Sequence, residues 1–221
     1  ADADVEAIKA AGKRGICLTL NGVPLLRTQR NAEEESTCIR IFAQLGVRMM
    51  HLTYNRRNPI GDGCAEPANA GLSEFGKVVV QEMNRLGVLI DLAHTGWQTS
   101  LDTVKVSSQP VVISHTAVWE LQKHIRCKSD EVIRAVVDGG GTVGITNVPA
   151  FLGGGGTIVE FLEHIDYVVR KFGDDAVTIG TDCGHMSEGS EAAMNALKAR
   201  AKRRRRWESH WPKNDGVFDP A

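Results

Sequence analysis

The sequence lacks the features that mark several classes of protein. Its 221 residues contain no run near the ~20 consecutive apolar residues that a membrane span needs. Basic residues (26) and acidic residues (27) nearly cancel, which argues against a generally basic nucleic-acid-binding protein. The start, Ala-Asp-Ala-Asp-Val, has no basic region followed by an apolar run. We therefore expect no signal peptide and a cytoplasmic location.

Two motif classes are also missing. The five cysteines are odd in number and include no CxxC pair, so neither a zinc ribbon nor a redox motif is indicated, and we expect free thiols. No GxGxxG follows a predicted strand, so dinucleotide binding loses its main support. The composition, 42% hydrophobic and 24% charged, is that of an ordinary globular domain.

Short apolar runs alternate with amphipathic stretches along the chain. The runs are rich in Val, Ile and Leu without period-2 alternation, as in strands covered on both faces. Six strands are predicted: Ile16–Leu20, Arg48–Thr53, Val88–Leu92, Val111–Ser114, Thr142–Thr146 and Val177–Gly180. The predicted helices are Val5–Ala11, Ala32–Leu45, Leu72–Leu86, Trp97–Val106, Asp130–Val137, Ile158–Phe172 and Glu188–Arg206. Ser129 and Thr157 are expected to cap two of them.

This alternation predicts an α/β fold with a parallel sheet and helical crossovers. A doubly wound open sheet and a (β/α)8 barrel of TIM type both fit it. Polar residues at the carboxyl ends of strands favour the barrel, because barrel enzymes build their sites there. Six strands leave the barrel two short. We expect it to occupy residues 1–185, with a basic helix and tail over 186–221. The polar residues in question are Asn21, Tyr54, His94, His115, Asn147 and Asp182.

Three strand-end elements are candidates for chemistry: Asp91-Leu-Ala-His94, Ser114-His115-Thr116 and Gly180-Thr-Asp182. Imidazole nitrogens are good zinc ligands, and a neighbouring carboxylate can complete a site. A lone histidine at a strand end is more often structural, but three such elements in succession indicate a metal site. His51, inside an apolar strand, is interpreted as structural.

Several longer segments resemble the membrane (renal) dipeptidase family, metallopeptidases of the amidohydrolase-like barrel group. The resemblance extends from about residue 12 to residue 182. The segments that carry it are Gly46-Val-Arg-Met-Met-His-Leu-Thr-Tyr-Asn55, Gly71-Leu-Ser-Glu-Phe-Gly-Lys77, Glu82-Met-Asn-Arg-Leu-Gly-Val-Leu-Ile-Asp-Leu-Ala-His94, Pro110-Val-Val-Ile-Ser-His115 and Ile179-Gly-Thr-Asp182.

The resemblance implies a two-zinc site and hydrolysis of the peptide bond of dipeptides or similar short amides. His94 and His115 match the two histidines that hold the family's second zinc. Arg126 matches the arginine that grips the substrate's terminal carboxylate. Asp182 matches the aspartate that faces the substrate's amino group. Tyr54 stands where the family has a histidine that polarises the scissile carbonyl.

The departures from the family pattern set limits on this reading. The family's first zinc is held by a His-x-Asp pair on a strand that this chain lacks. Asn21 occupies the position of the metal-bridging glutamate, and a neutral amide is a weaker ligand. We therefore expect at most one zinc, at His94 and His115, if the chain stands alone. An alternative is a catalytically impaired relative that serves as a binding or assembly component.

The two missing strands also bear on the partners of the chain. An incomplete barrel has open edges that tend to pair with other chains. We expect a homo-oligomer or a complementing amino-terminal chain, with a small peptide as substrate and no nucleic acid.

Overall fold

A computed structural model describes residues 2–25 and 31–184, together with residues 189, 190, 192, 195 and 196. All six predicted strands are present, with ends shifted by up to two residues. They are β1 (Leu18–Leu20), β2 (Val47–His51), β3 (Leu89–Asp91), β4 (Ile113–Thr116), β5 (Val143–Ile145) and β6 (Val177–Ile179).

The helices lie between these strands. They are α1 (Asp2–Ala10), α2 (Ala32–Gln44), α3 (Glu74–Leu86), α4 (Trp97–Val106), α5 (Asp130–Asp138), α6 (Pro149–Leu152) and α7 (Ile158–Phe172). The short α6 was not predicted. The predicted helix Glu188–Arg206 falls outside the described residues except at the five positions given above. No helix of the described part has the length and apolar character needed to cross a membrane.

The strands pair in parallel and follow one another in chain order. One sheet is β1-β2-β3 and the other is β4-β5-β6. A parallel bridge between Asp91 and Val112 links them. In this link Leu92 N donates to Val112 O at 2.8 Å, and Val112 N donates to Ile90 O at 3.0 Å. The prediction of an α/β fold with parallel strands is confirmed.

The two outer strands leave their far edges open. Within the described residues β1 pairs with β2 alone and β6 with β5 alone, so a closed barrel is not observed. Leu18 of β1 is 51% exposed and Ile179 of β6 is 69% exposed. By contrast, Met50 and Ile145, on inner strands, are fully buried. The apolar core therefore lies along the middle of the strand array and under the helices.

Local sequence signals explain where the helices begin and end. The Ser129 side chain accepts a hydrogen bond from Val132 N, which starts α5 as predicted. Thr157 and Glu160 form the predicted capping box of α7. Gly87 closes α3 in the left-handed region, at φ 65°. Each of these signals is read from a few adjacent residues, which is why the sequence locates these ends well.

Gly144 in β5 provides a test of how closely the strands pack. A Cβ atom at this position would lie 2.0 Å from the Ser114 carbonyl oxygen. We expect Gly144→Ala to lower the free energy of unfolding by about 1–3 kcal/mol, because backbone must move to admit the methyl group. Urea unfolding measures this. Gly184→Ala is the control, since a Cβ there meets nothing within 4 Å. Equal unfolding midpoints for both variants would contradict the packing described.

Candidate metal and substrate site

Four ionisable side chains gather at the carboxyl ends of the middle strands. His51 ends β2 and Asp91 ends β3, and the two residues are paired in the parallel register. His115 lies in β4, and His94 follows β3 by three residues. All four residues are buried. Strand pairing therefore brings together residues that are up to 64 positions apart (51 to 115).

The distances within this group are short. His94 Nε2 and His115 Nε2 are 3.0 Å apart. The ring centroid of His51 lies 5.1 Å from that of His94 and 5.4 Å from that of His115. His51 Nε2 is 2.6 Å from Asp91 Oδ2. Three imidazoles and one carboxylate thus surround a small shared volume, which we call the strand-end cluster.

The donor set of this cluster fits a divalent cation. One ligand atom each from His51, Asp91 and His115 can be chosen so that all lie within 4.8 Å of one another. His51 Nδ1 is buried without a hydrogen-bond partner, and Asp91 Oδ2 contacts His51 Nε2 at 2.6 Å. Nitrogen and carboxylate donors suit zinc. A buried ring nitrogen without a partner, next to an ionised carboxylate, is what a bound cation would satisfy.

Burial controls the charge of the cluster. Burial, aided by the positive charge of Arg126, lowers the pKa of His115 to about 3. The same two causes lower the pKa of His94 far below its ordinary value. Burial alone would raise the pKa of Asp91, but His51 and Ser114 outweigh it and hold that pKa at about 2. At neutral pH the site thus holds two neutral imidazoles and an ionised carboxylate.

The other predicted site residues lie around the histidine pair, with one exception. The Tyr54 ring stacks on His94 with 4.1 Å between centroids. Asp182 Oδ2 is 3.9 Å from His115 Nε2. Asn21, in contrast, is exposed just past β1, and no hydrogen bond among the described residues joins it to a histidine. The catalytic, substrate-binding and metal roles assigned to these residues stay predictions.

Arg126 is buried beneath the cluster instead of reaching into solvent. Its Nη1 donates to the Ala93 carbonyl, and its Nη2 lies 3.4 Å from His94 Nε2. Only 2% of the surface of Arg126 is exposed to solvent. It therefore borders the site from within the protein.

The sequence analysis assigned no metal role to His51 or Asp91 and no role to the buried Lys128 next to them. His51 was interpreted as structural, and Asp91 was noted only as part of a motif. The buried Lys128 donates to Thr95 O at 2.5 Å and lies 3.3 Å from Ser100 Oγ. Burial lowers its pKa to about 7. His51 and Asp91 are the last residues of β2 and β3 in the structure, whereas the predicted strands extended beyond both of them.

A comparison with protein-family models identifies a match to the membrane dipeptidase family, peptidase family M19, over residues 1–208. The chain belongs to this family. The resemblance seen in the sequence is thereby confirmed.

Individual members of the membrane dipeptidase family are considerably longer than this chain. Dipeptidase aclJ of Aspergillus oryzae is 31% identical over 169 residues, which are 74% of this chain and 40% of the relative. The uncharacterized dipeptidase C965.12 of Schizosaccharomyces pombe is 28% identical over 206 residues, 90% of this chain and 48% of the relative. The chain thus spans less than half the length of these two relatives.

Solved structures support the same fold. An amidohydrolase from Pseudomonas aeruginosa matches with a TM-score of 0.72 and 38% identity, covering 84% of this chain and 56% of that one. A metallo peptidase from Rhodobacter sphaeroides, solved with a phosphinate mimic of the dipeptide L-Ala-D-Ala, matches with a TM-score of 0.71 and 23% identity. That match covers 90% of this chain and 60% of the Rhodobacter chain, and at this identity it concerns the fold alone.

The depressed pKa of His115 predicts how stability depends on pH. The unfolded chain takes up a proton at His115 near pH 6.5, whereas the folded chain does so only near pH 3. Stability from this residue is complete above pH 6.5 and falls as the pH decreases toward 3, by about 1.4 kcal/mol per pH unit. Urea unfolding at pH 7.5 and at pH 5.0, with a metal chelator present so that no ion is bound, measures this loss of stability.

We expect His115→Gln to lose less stability than the wild type between these two pH values. Asp166→Asn, which alters an exposed ion pair with Arg170, is the control and should lose as much as the wild type. An equal loss in the wild type and in His115→Gln would contradict the assigned pKa.

Proposed function

We propose that the chain is part of a (β/α)8 barrel that hydrolyses dipeptides or similar short amides with zinc. The observation that carries the proposal is the contact between His94 and His115 at the strand ends, with Tyr54 and Asp182 beside it. Membership of the membrane dipeptidase family supports it. The dipeptide mimic bound by the Rhodobacter metallo peptidase is consistent with this substrate class.

His94 and His115 are the proposed zinc ligands, and Asn21 is a weak third candidate at the position that the family gives to its bridging glutamate. When bound, zinc supplies a Lewis acid that polarises a carbonyl and activates water at neutral pH. The neutral state of both imidazoles leaves nitrogen lone pairs free to bind it.

Three further residues are proposed to hold the substrate. Burial raises the pKa of Tyr54, so its hydroxyl keeps its proton and can donate a hydrogen bond to the oxygen of the scissile carbonyl. Asp182 can accept a hydrogen bond from the substrate's amino group. Arg126 supplies the positive charge for the terminal carboxylate, for which a guanidinium fork is well suited. Together these residues would orient a short peptide across the histidine pair.

A catalytically impaired relative is the second candidate. It is favoured by the exposure of Asn21 and by the absence of a hydrogen bond from that side chain to the strand-end cluster in the described residues. Such a protein would bind partners or peptides without cleaving them. Zinc content measured together with dipeptide hydrolysis separates the two candidates.

Tyr54→Phe tests the proposed role of the hydroxyl. We expect kcat/KM for dipeptide hydrolysis in zinc to fall by about 10²-fold, because one donor to the developing oxyanion is lost. Tyr167→Phe is a matched control, since Tyr167 is the only other tyrosine and its hydroxyl contacts Asp130 on the helical layer. Equal activity in both variants would contradict the proposed role of the Tyr54 hydroxyl as a hydrogen-bond donor. No hydrolysis in the zinc-loaded wild type would favour the impaired relative.

The open edges carry a proposal about assembly. Ile16 is 92% exposed ahead of β1, and Ile179 is 69% exposed in β6. We propose that another chain covers these edges, either an identical subunit or a complementing amino-terminal chain, because unpaired strand edges readily pair. The cytoplasmic location and the boundary near residue 185 also stay predictions.

Light scattering on the purified chain tests this proposal. A homo-oligomer would give a mass of at least two chains. A monomer that gains stability and compactness when an amino-terminal segment of a relative is added would support the complementing chain. A stable monomer with β1 paired directly to β6 would contradict both forms.

A further inference from the structure

We infer that the cation bound at the strand ends is ligated directly by His51 and Asp91, together with His115, and that Asn21 takes no part. His94 lies next to these ligands and completes the set. The inference depends on the proposed function in one respect only, which is that both require a divalent cation at this end of the sheet.

The first support is the position of the two residues in the sheet. His51 and Asp91 are register partners at the ends of adjacent parallel strands. His51 is 5% exposed and Asp91 is fully buried. Their side chains are therefore fixed by the strands themselves, as the ligands of a preformed site need to be.

The second support is the spacing of the donor atoms. Zinc bound tetrahedrally at the usual 2.0–2.1 Å places its ligand atoms about 3.3 Å apart. His94 Nε2 and His115 Nε2 are 3.0 Å apart, and His51 Nε2 and Asp91 Oδ2 are 2.6 Å apart. The chosen atoms of His51, Asp91 and His115 lie within 4.8 Å of one another. These donors lie close enough together for one ion to contact them.

The third support is the hydrogen bonding of Asp91. Its Oδ1 accepts hydrogen bonds from Ser114 N at 2.9 Å and from Ala93 N at 3.0 Å. Its Oδ2 contacts His51 Nε2 at 2.6 Å, and the other ring nitrogen, His51 Nδ1, is buried without a hydrogen-bond partner. One oxygen is thus anchored by backbone, while the other is directed at His51 within the cluster. Anchoring of this kind orients carboxylate ligands in metal sites.

The fourth support is charge. Arg126 Nη2 lies 3.4 Å from His94 Nε2, and the Lys128 ammonium is buried nearby, hydrogen-bonded to Thr95. With two imidazoles and an amide as its ligands, a divalent cation facing these positive groups would have no negatively charged ligand. Asp91 supplies a buried negative charge inside the strand-end cluster. A carboxylate ligand therefore makes cation binding electrostatically feasible at this position.

Zinc affinity of the full 221-residue chain tests the inference without any substrate. Competition against a chelating indicator gives the dissociation constant for the wild type, His51→Gln, Asp91→Asn and Asn21→Ala. We expect the first two variants to bind zinc at least about 10-fold more weakly, since even outer-shell changes cost 10–100-fold. Asn21→Ala should stay within about twofold of the wild type.

His164→Gln is the matched control for loss of a buried histidine. His164 lies on α7, where it accepts a hydrogen bond from Val118 N, and it should not affect zinc affinity. If His51→Gln binds zinc as tightly as this control, the inference is overturned. Weaker binding by Asn21→Ala than by His51→Gln would also overturn it.

X-ray absorption spectroscopy of the zinc-loaded wild type counts the imidazole ligands of the ion directly. It needs no variant, so its result does not depend on whether the variants fold. Three imidazoles in the first coordination shell support the inference, and two or fewer overturn it. The two proposals fail in distinguishable ways. A chain that binds zinc through His51 but cleaves no dipeptide refutes the proposed function alone. A chain that cleaves dipeptides while His51→Gln keeps full zinc affinity refutes the ligand assignment alone.

Discussion

The parallel pairing of successive strands is the constraint on which the strand-end cluster depends. Because every strand runs in the same direction, all carboxyl ends meet at one edge of the array. The β2–β3 register then sets His51 beside Asp91. The short backbone link at Val112 joins the two sheets and places His115 against His94. A shift of one residue in either pairing would turn these side chains to the opposite face.

Electrostatics gives the same cluster its chemical character. Ordinary histidines and lysines are partly or fully charged near neutral pH, but burial next to Arg126 keeps His94 and His115 neutral and moves the pKa of Lys128 to about 7. Asp91 remains ionised because His51 and backbone N–H groups stabilise its charge. The arrangement concentrates metal-binding groups where water is largely excluded, and in such a place their interactions with an ion are strong.

The parts of this fold that the sequence predicted are those governed by local signals. The six strands lie in short stretches rich in apolar residues, and the start of α7 is marked by Thr157 and Glu160. Helix α6 was missed because its four residues are too few to show a helical period. His51 was missed because its burial against Asp91 arises from pairing between strands, which a single strand's pattern does not contain. Asn21 was placed near the metal by family correspondence, whereas in the structure its side chain is exposed beyond β1.

The central claim is that the carboxyl ends of the middle strands form one divalent-cation site. Anomalous diffraction at the zinc absorption edge, from crystals of the chain grown with zinc, tests it most directly. The account predicts one strong peak at about 2.0–2.1 Å from a ring nitrogen of His115 and within reach of His94. A strong peak at a surface histidine, with no density above noise between His94 and His115, would contradict it.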